Sequence, residues 1–303
     1  MRKYNCKYFI QERCNIMSKK KVAIVTDTTC DLSDEVLKLN NIYMVPLQII
    51  YETRSYRDRM EITADKVYGL LDKEIPKSSL PLPEDVKNIL DRIVEDGYTD
   101  ILYISISAGL SGTYNLIKLL AQEYTKLNIE VVDSSTLSMG LGFLVLEAAK
   151  VINKTSDIKA AISRINTVRK SMSTMFVLNT LEYLRKGGRI GKVEGTVGNL
   201  LNIKPIIAVN DEGVYYTVTK GRGFKRAVSS MVDEIKKRYE GKPITIAVVY
   251  GEQIEGAKKL LETLKEKLDV TTTYITQVSP VLGMHTGPGL LGVVAFEEST
   301  TQV

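Results

Sequence analysis

Apolar residues recur along this chain at two spacings. Short β-branched runs of strand length alternate with longer segments whose apolar positions lie three and four apart, the signature of amphipathic helices. Residues 22–26 (VAIVT) read as a strand, followed by a helix over SDEVLKLN with Ser33 as N-cap and Asp34 and Glu35 in its first turn. Residues 42–51 (IYMVPLQIIY) read as a strand and the polar ETRSYRDR after them as a turn or edge; Thr63 caps a helix expected to run through Lys73. Pro83 opens a helix whose Val86, Ile89, Leu90, Ile93 and Val94 form one apolar stripe, ended by Gly97. The strand DILYISI, the helix TYNLIKLLAQEY, the strand IEVVDS and the apolar helix GLGFLVLEAAKVI complete this half. Strands alternating with helices predict a parallel sheet covered on both faces.

The second half begins after a helix over residues 156–170. MSTMFVLN reads as a strand, LEYLRK as a short helix and GGRIGK as a basic glycine loop. IKPIIAV and VYYTV meet at Asp211-Glu212-Gly213, a hairpin turn. A helix over 224–239, the strand ITIAVV, the helix IEGAKKLLETLKEKL and the strands VTTTYIT and LLGVVAF follow. The expectation is a two-domain α/β protein: an N-terminal parallel-sheet domain over 17–165 and a smaller mixed-sheet domain over 166–303. No proline- or serine-rich linker separates them, so a cleft between packed domains is the expected place for a small molecule.

Composition narrows the classes. With 44% hydrophobic and 25% charged residues the 303-residue chain is ordinary globular material. The net charge of +5 is mild, and much of it lies in Arg2, Lys3, Lys7 and Arg13 near the N-terminus, so there is no electrostatic footprint for nucleic acid. Cys6, Cys14 and Cys30 form no metal-ligand pattern and fit a reducing, cytoplasmic setting. No apolar run reaches the length of a membrane span. The first sixteen residues lack the apolar stretch of a secretory signal and read as a poorly ordered extension ahead of a natural start at Met17.

The stretch Ser105-Ile106-Ser107-Ala108-Gly109-Leu110-Ser111-Gly112-Thr113 carries the strongest chemical signal. It joins a buried strand to a helix through serines and glycines, offering hydroxyls and free amides at a helix N-terminus, where an anion is favoured. It lacks the lysine of a Walker A loop, so a carboxylate suits it better than a nucleotide triphosphate. Five further segments keep company with it: Val25–Leu32 (VTDTTCDL), Lys77-Ser78-Ser79-Leu80-Pro81, the run 132–142 (VDSSTLSMGLG), the run 181–190 (LEYLRKGGRI) and Met284-His285-Thr286-Gly287-Pro288-Gly289. In this order, from about Lys21 to about Phe296, they resemble the DegV family of bacterial fatty-acid-binding proteins.

That resemblance implies a long-chain fatty acid as ligand, no cofactor and no catalysis by the chain itself. It implies that the ligand carboxylate binds Ser111 and Ser78, the latter standing where the family usually has Thr; Leu80 likewise replaces a usual polar residue. It places the loop of His285, the chain's single histidine, and Thr286 beside the carboxylate as a head-group or phosphoryl loop. Arg189 is the basic-loop residue suited to a phosphorylated partner site. Ser79, Gly112 and Asp27 are support candidates, Asp27 and Asp133 reading equally as ligand contacts or as loop braces. The glycine-bearing helix start at residues 140–146 reads either as plain core or as the lining of an acyl tunnel. The family's partner is a separate ATP-dependent kinase that phosphorylates the bound fatty acid to acyl phosphate for phospholipid synthesis. Rival readings are a serine hydrolase using Ser111, His285 and an aspartate, although Thr113 occupies the last glycine of the nucleophile elbow; a subunit like dihydroxyacetone kinase; and a DNA-binding regulator, which the charge disfavours.

Overall fold

The computed structural model describes residues 20–196 and 202–298. The expected N-terminal extension, with Cys6 and Cys14, lies outside the described residues. The chain runs β1 (Val22–Asp27), a 3-10 turn (Thr28–Cys30), α1 (Asp34–Leu39), β2 (Ile42–Val45), β3 (Gln48–Ile50), β4 (Ser55–Arg57), α2 (Ala64–Tyr68), β5 (Lys77–Ser79), α3 (Pro83–Glu95), β6 (Asp100–Ser105), α4 (Thr113–Glu123), β7 (Asn128–Asp133) and α5 (Met139–Thr155). It continues α6 (Ile158–Ser171), β8 (Ser173–Val177), α7 (Glu182–Lys186), β9 (Ile203–Val209), β10 (Tyr215–Arg222), α8 (Phe224–Tyr239), β11 (Ile244–Tyr250), α9 (Ile254–Lys265), β12 (Val270–Gln277), α10 (Pro280–Thr286) and β13 (Leu291–Glu297).

The first sheet is parallel throughout, in the order β2-β1-β6-β7. The second is mixed, in the order β10-β9-β8-β13-β11-β12, with only β11 and β12 parallel. Period-two alternation sends successive side chains to opposite faces and so makes layers. In β1, Val22 and Ile24 face a central core while Ala23 and Val25 face an outer core under α3 and α4. In β13, Val294 and Phe296 face the same central core, while Val293 and Ala295 face an outer core under α8 and α9. Helix α5 is buried along almost its whole length between the sheets, as its all-round apolar sequence requires.

Two local expectations give way to backbone chemistry. The run 42–51 is not one strand: Pro46, lacking an N–H, ends β2, and β3 joins a separate antiparallel sheet ordered β4-β3-β5. The helix after Thr63 stops at Tyr68, with Gly69 as its C-cap, rather than reaching Lys73. The division expected between residues 165 and 166 falls inside α6, and buried residues pack continuously across it. No helix among the described residues is long and apolar enough to cross a membrane.

Candidate functional site

In the parallel sheet the chain steps from β1 to β2 on one side and later to β6 on the other, so a crevice opens beyond the carboxyl ends of β1 and β6. Asp27, at the end of β1, fixes this point. One carboxylate oxygen accepts from Ile106 N (2.8 Å), the other from Thr29 N (3.1 Å) and Thr29 Oγ1 (2.5 Å). Burial raises its pKa, against these hydrogen bonds. Asp27 is therefore a brace. Asp133 is too, accepting from Ala108 N (3.1 Å) and Ser135 N (2.8 Å).

A cavity of about 200 Å³ lies over the crevice. Its floor comes from residues just past the parallel strands, Thr29, Leu47, Ile106, Leu110 and Leu137, and Ser78, Ser79 and Leu80 form another wall. Tyr215, Arg189 and α10 close it from the other half of the chain. Ser78, Ser79, Ser111, Arg189 and His285 are thus brought together from four separate stretches of sequence. Gly112 does not line the cavity; it precedes α4, where a Cβ would meet the Leu80 side chain.

Ser78 sits on β5, paired with Ile49 of β3. Its Oγ lies 2.9 Å from His285 Nε2. Ser111 Oγ is 2.9 Å from Thr113 Oγ1 and accepts from Thr113 N at 3.3 Å. His285 is buried, and burial followed by the Arg189 charge pushes its pKa down to about 4. A neutral ring that donates from Nε2 leaves the Ser78 hydroxyl free to donate onward to an anion. The imidazole packs against Gly187, where a Cβ would overlap it, and its buried Nδ1 has no hydrogen-bond partner. Arg189 Nη1 donates to Gly187 O at 2.8 Å and Nε to Leu110 O at 3.4 Å. The guanidinium thereby ties the two sides of the cavity and puts a positive charge near its polar end.

The hydrolase reading meets a specific obstacle. Histidine pairs with Ser78 instead of Ser111, no carboxylate orients Nδ1, and a ring with so low a pKa is a weak general base at neutral pH. Among the described residues no group of three or more His, Cys, Asp or Glu side chains could hold a metal.

Two expectations about this region are corrected. Met284, His285 and Thr286 belong to the last turn of α10, which Pro280 starts at a position where its missing N–H costs nothing and Gly287 (φ 73°) ends; only Gly287, Pro288 and Gly289 of the expected loop are non-helical. Thr286 consequently turns away from the polar end: its hydroxyl donates to Leu282 O (3.1 Å) and it lines a second, smaller cavity. That cavity, about 30 Å³, also holds Phe176, Val249, Val278 and Leu290, and shares Leu137, Tyr215 and Leu282 with the first. Residues 140–146 line neither. Gly140 and Gly142 instead allow contact with Thr136, Thr174 and Cys30, so the glycines serve close packing. Leu137, Tyr215 and Leu282 were not singled out in the sequence, where they read as ordinary core positions; the Ser279-Pro280 helix start was the signal that could have found α10.

The scaffold is layered α/β, with a cavity that several polar side chains line at a sheet's switch point, the place where open α/β sheets commonly bind ligands. The chain belongs to the DegV family: the family model described as "Uncharacterised protein, DegV family" matches residues 21–298. A DegV domain-containing protein of Clostridium acetobutylicum is 39% identical over 280 residues, covering 92% of this chain and all of that one. Among solved structures, the chain is similar to a DegV family protein from Thermus thermophilus described by its fatty acid binding (TM-score 0.85, 29% identity, covering 92% of this chain and 100% of that one). It is also similar to DegV, a fatty acid binding protein from Bacillus subtilis (0.83, 27%, 92% and 100%), and to a stearic acid-binding protein from Eubacterium ventriosum (0.82, 28%, 92% and 98%).

Proposed function

We propose that this protein binds a long-chain fatty acid, holds its carboxylate among Ser78, Ser111 and the neighbouring His285, and presents it to a separate ATP-dependent fatty-acid kinase. The observation that carries this reading is the convergence of Ser78, Ser111 and a neutral His285 on one cavity, with a second, mainly apolar cavity sharing Leu137, Tyr215 and Leu282 with it. Hydroxyl donors and the Arg189 charge offset much of the carboxylate's desolvation. A hexadecanoyl-length tail contributes roughly 10 kcal/mol gross on burial, at ~0.8 kcal/mol per methylene. The larger cavity, about 200 Å³, is smaller than the ~300 Å³ at which small-molecule pockets begin. The tail must therefore part Leu137, Tyr215 and Leu282 and join the two cavities. Thr286 takes a place along the tail in this reading, and Arg189 is the residue suited to a transferred phosphoryl group or to the kinase surface.

Denaturing extraction of purified protein followed by mass spectrometry should yield stoichiometric fatty acid. Lipid-free protein should take up oleate or palmitate, and neither result appearing would defeat the binding reading. Mixed with a fatty-acid kinase, ATP, magnesium and labelled fatty acid, the protein should give product that hydroxylamine traps. Hydroxamate formed by this protein alone would overturn the carrier role, and none with an active kinase would remove the presenting role while leaving binding intact.

A further inference from the structure

Helix α10 carries His285 at its C-terminal end, and its N-terminal end is held by two buried carboxylates from distant parts of the chain. Asp31 Oδ1 accepts from Ser279 N (2.8 Å) and Asp58 Oδ1 from Val281 N (2.9 Å). Both acids are almost fully buried. Asp31 also reaches the start of α5: Ser138 Oγ donates to its Oδ2 at 2.5 Å, and Ser138 takes a left-handed φ of 54° to do so. Ser138 follows Leu137, one of the three residues common to both cavities, and itself lines the smaller one. Asp58 Oδ2 is buried with no hydrogen-bond partner, as is Arg59 Nη1 nearby, so the pair is not neutralised by a closed ion pair. Arg59 spends its Nη2 on Leu32 O (2.7 Å) and Asp34 Oδ1 (2.6 Å).

We propose that Asp31 and Asp58 are positioning residues for the ligand head group: by gripping the first amides of α10 they set His285 against Ser78, so the geometry of the polar end follows the state of this acid pair. The inference rests on the head-group site described above. Neither acid lines either cavity; their influence on His285 runs along the short helix α10, while Asp31 also holds Ser138 of the smaller cavity. An ionised carboxylate at a helix N-terminus accepts amide hydrogen bonds more strongly than a protonated one. Burial pushes Asp31 up to about 6 and Asp58 up to about 7, so the grip changes near neutral pH. The charged or titratable groups facing the pair are Arg59, Cys30, Asp27 beside Cys30, and Tyr68 with Asp65 on α2. At the far end of the helix His285 faces Arg189, and Tyr183 packs against Gly287.

His285 is the chain's single histidine, which makes its ring proton signals an unambiguous probe in tag-free protein. Its own titration lies near pH 4. In the ligand-free protein those signals should nevertheless show an inflection between about pH 5 and 8, reporting the acid pair. The inflection should be lost or displaced in Asp58→Asn and in Asp31→Asn. A flat response across that range in the unsubstituted protein, which needs no variant to fold, overturns the proposal; so does an inflection unchanged in both folded variants. Palmitate affinity measured alongside should weaken below about pH 6 in the unsubstituted protein, beyond the change in Asp58→Asn, which carries the ligand's own titration. Equal pH dependence in the two overturns the link to the head group. An inflection that disappears in the variants, in a protein that binds no palmitate at any pH, upholds the positioning of His285 and rejects only the fatty-acid reading.

Discussion

The polar and apolar ends of the cavity are built in opposite ways. The polar end depends on a handful of side chains with specific hydrogen bonds: Ser78 on His285, Ser111 on Thr113, Arg189 on Gly187 and Leu110. The smaller cavity is lined mainly by hydrocarbon, and its few polar residues, Ser138, Thr174 and Thr286, are engaged with Asp31, Thr136 and Leu282 O. Leu137, Phe176, Val249, Val278, Leu282 and Leu290 arrive from separate strands, loops and helices, and any one could be exchanged for a residue of similar size. In the proposed binding mode, direction and chemistry are set at one end by geometry, while affinity is supplied at the other by area. Removing a donor and filling the apolar space should therefore have different signatures.

The largest effect is expected at the apolar end. Val249→Phe places a ring where the small cavity lies, on a rigid central strand. Excluding about five tail carbons removes roughly 4 kcal/mol, close to a thousandfold in affinity for palmitate. Octanoate, too short to reach that depth, should bind as before. An equal loss for both chain lengths in a titration would mean that the small cavity does not receive the tail. Stability should fall by about 1–3 kcal/mol from overpacking, readable in a urea melt.

The polar end is where protonation should matter. His285 titrates at about 4 in the fold against an ordinary value of 6.5, so between those values the unfolded chain binds more protons. Stability from this residue therefore rises with pH through that window, by about 3 kcal/mol over its full extent. Asp31 and Asp58 act in the opposite sense, because their raised values make the folded state the better proton binder. The difference between the unsubstituted protein and His285→Gln, followed by denaturant melts from about pH 4 to 7, isolates the histidine. A difference that does not change with pH would show that the ring is not held neutral by the fold.

The same asymmetry explains what could be read from sequence. The alternation of β1 and β6, the stripe on α3 and the hairpin between β9 and β10 are local patterns, and the folded chain keeps them. Ser78, Ser111 and His285 stood out as polar residues among glycines and prolines and through the family resemblance, and the fold brings them to one cavity. Nothing local distinguishes Leu137 or Tyr215 from other core residues; their role arises where two sheets meet across α5. Gly140 and Gly142 show the converse, since a glycine looks alike whether it opens space or closes it, and here neighbouring side chains fill the gap. Pro46 was visible, but that it sends β3 into another sheet depends on where β5 lies.

Single hydroxyl deletions should have intermediate effects. Ser78→Ala and Ser111→Ala each remove a charge-assisted hydrogen bond to the proposed carboxylate, roughly 1.5–3 kcal/mol. Both variants should still carry some lipid through purification, because tail burial dominates, so competition titrations are the measurement that counts. Unchanged affinity in the double variant would move the head group elsewhere.

Thr286→Val should have the smallest effect, and it separates the two ends most sharply because this residue is His285's immediate neighbour. Its hydroxyl donates within α10 to Leu282 O, and the residue lines the smaller cavity. Valine preserves the shape and removes only a local hydrogen bond to a carbonyl one helical turn back. The expected cost is about 0.5–1.5 kcal/mol of stability, with palmitate affinity and product formation with the kinase little changed. If Thr286 acted beside the carboxylate or the transferred phosphoryl group, the same substitution would lower affinity or turnover as Ser78→Ala does, with stability nearly intact. Comparing the two variants in one titration therefore decides whether the polar end stops at His285 or extends beyond it.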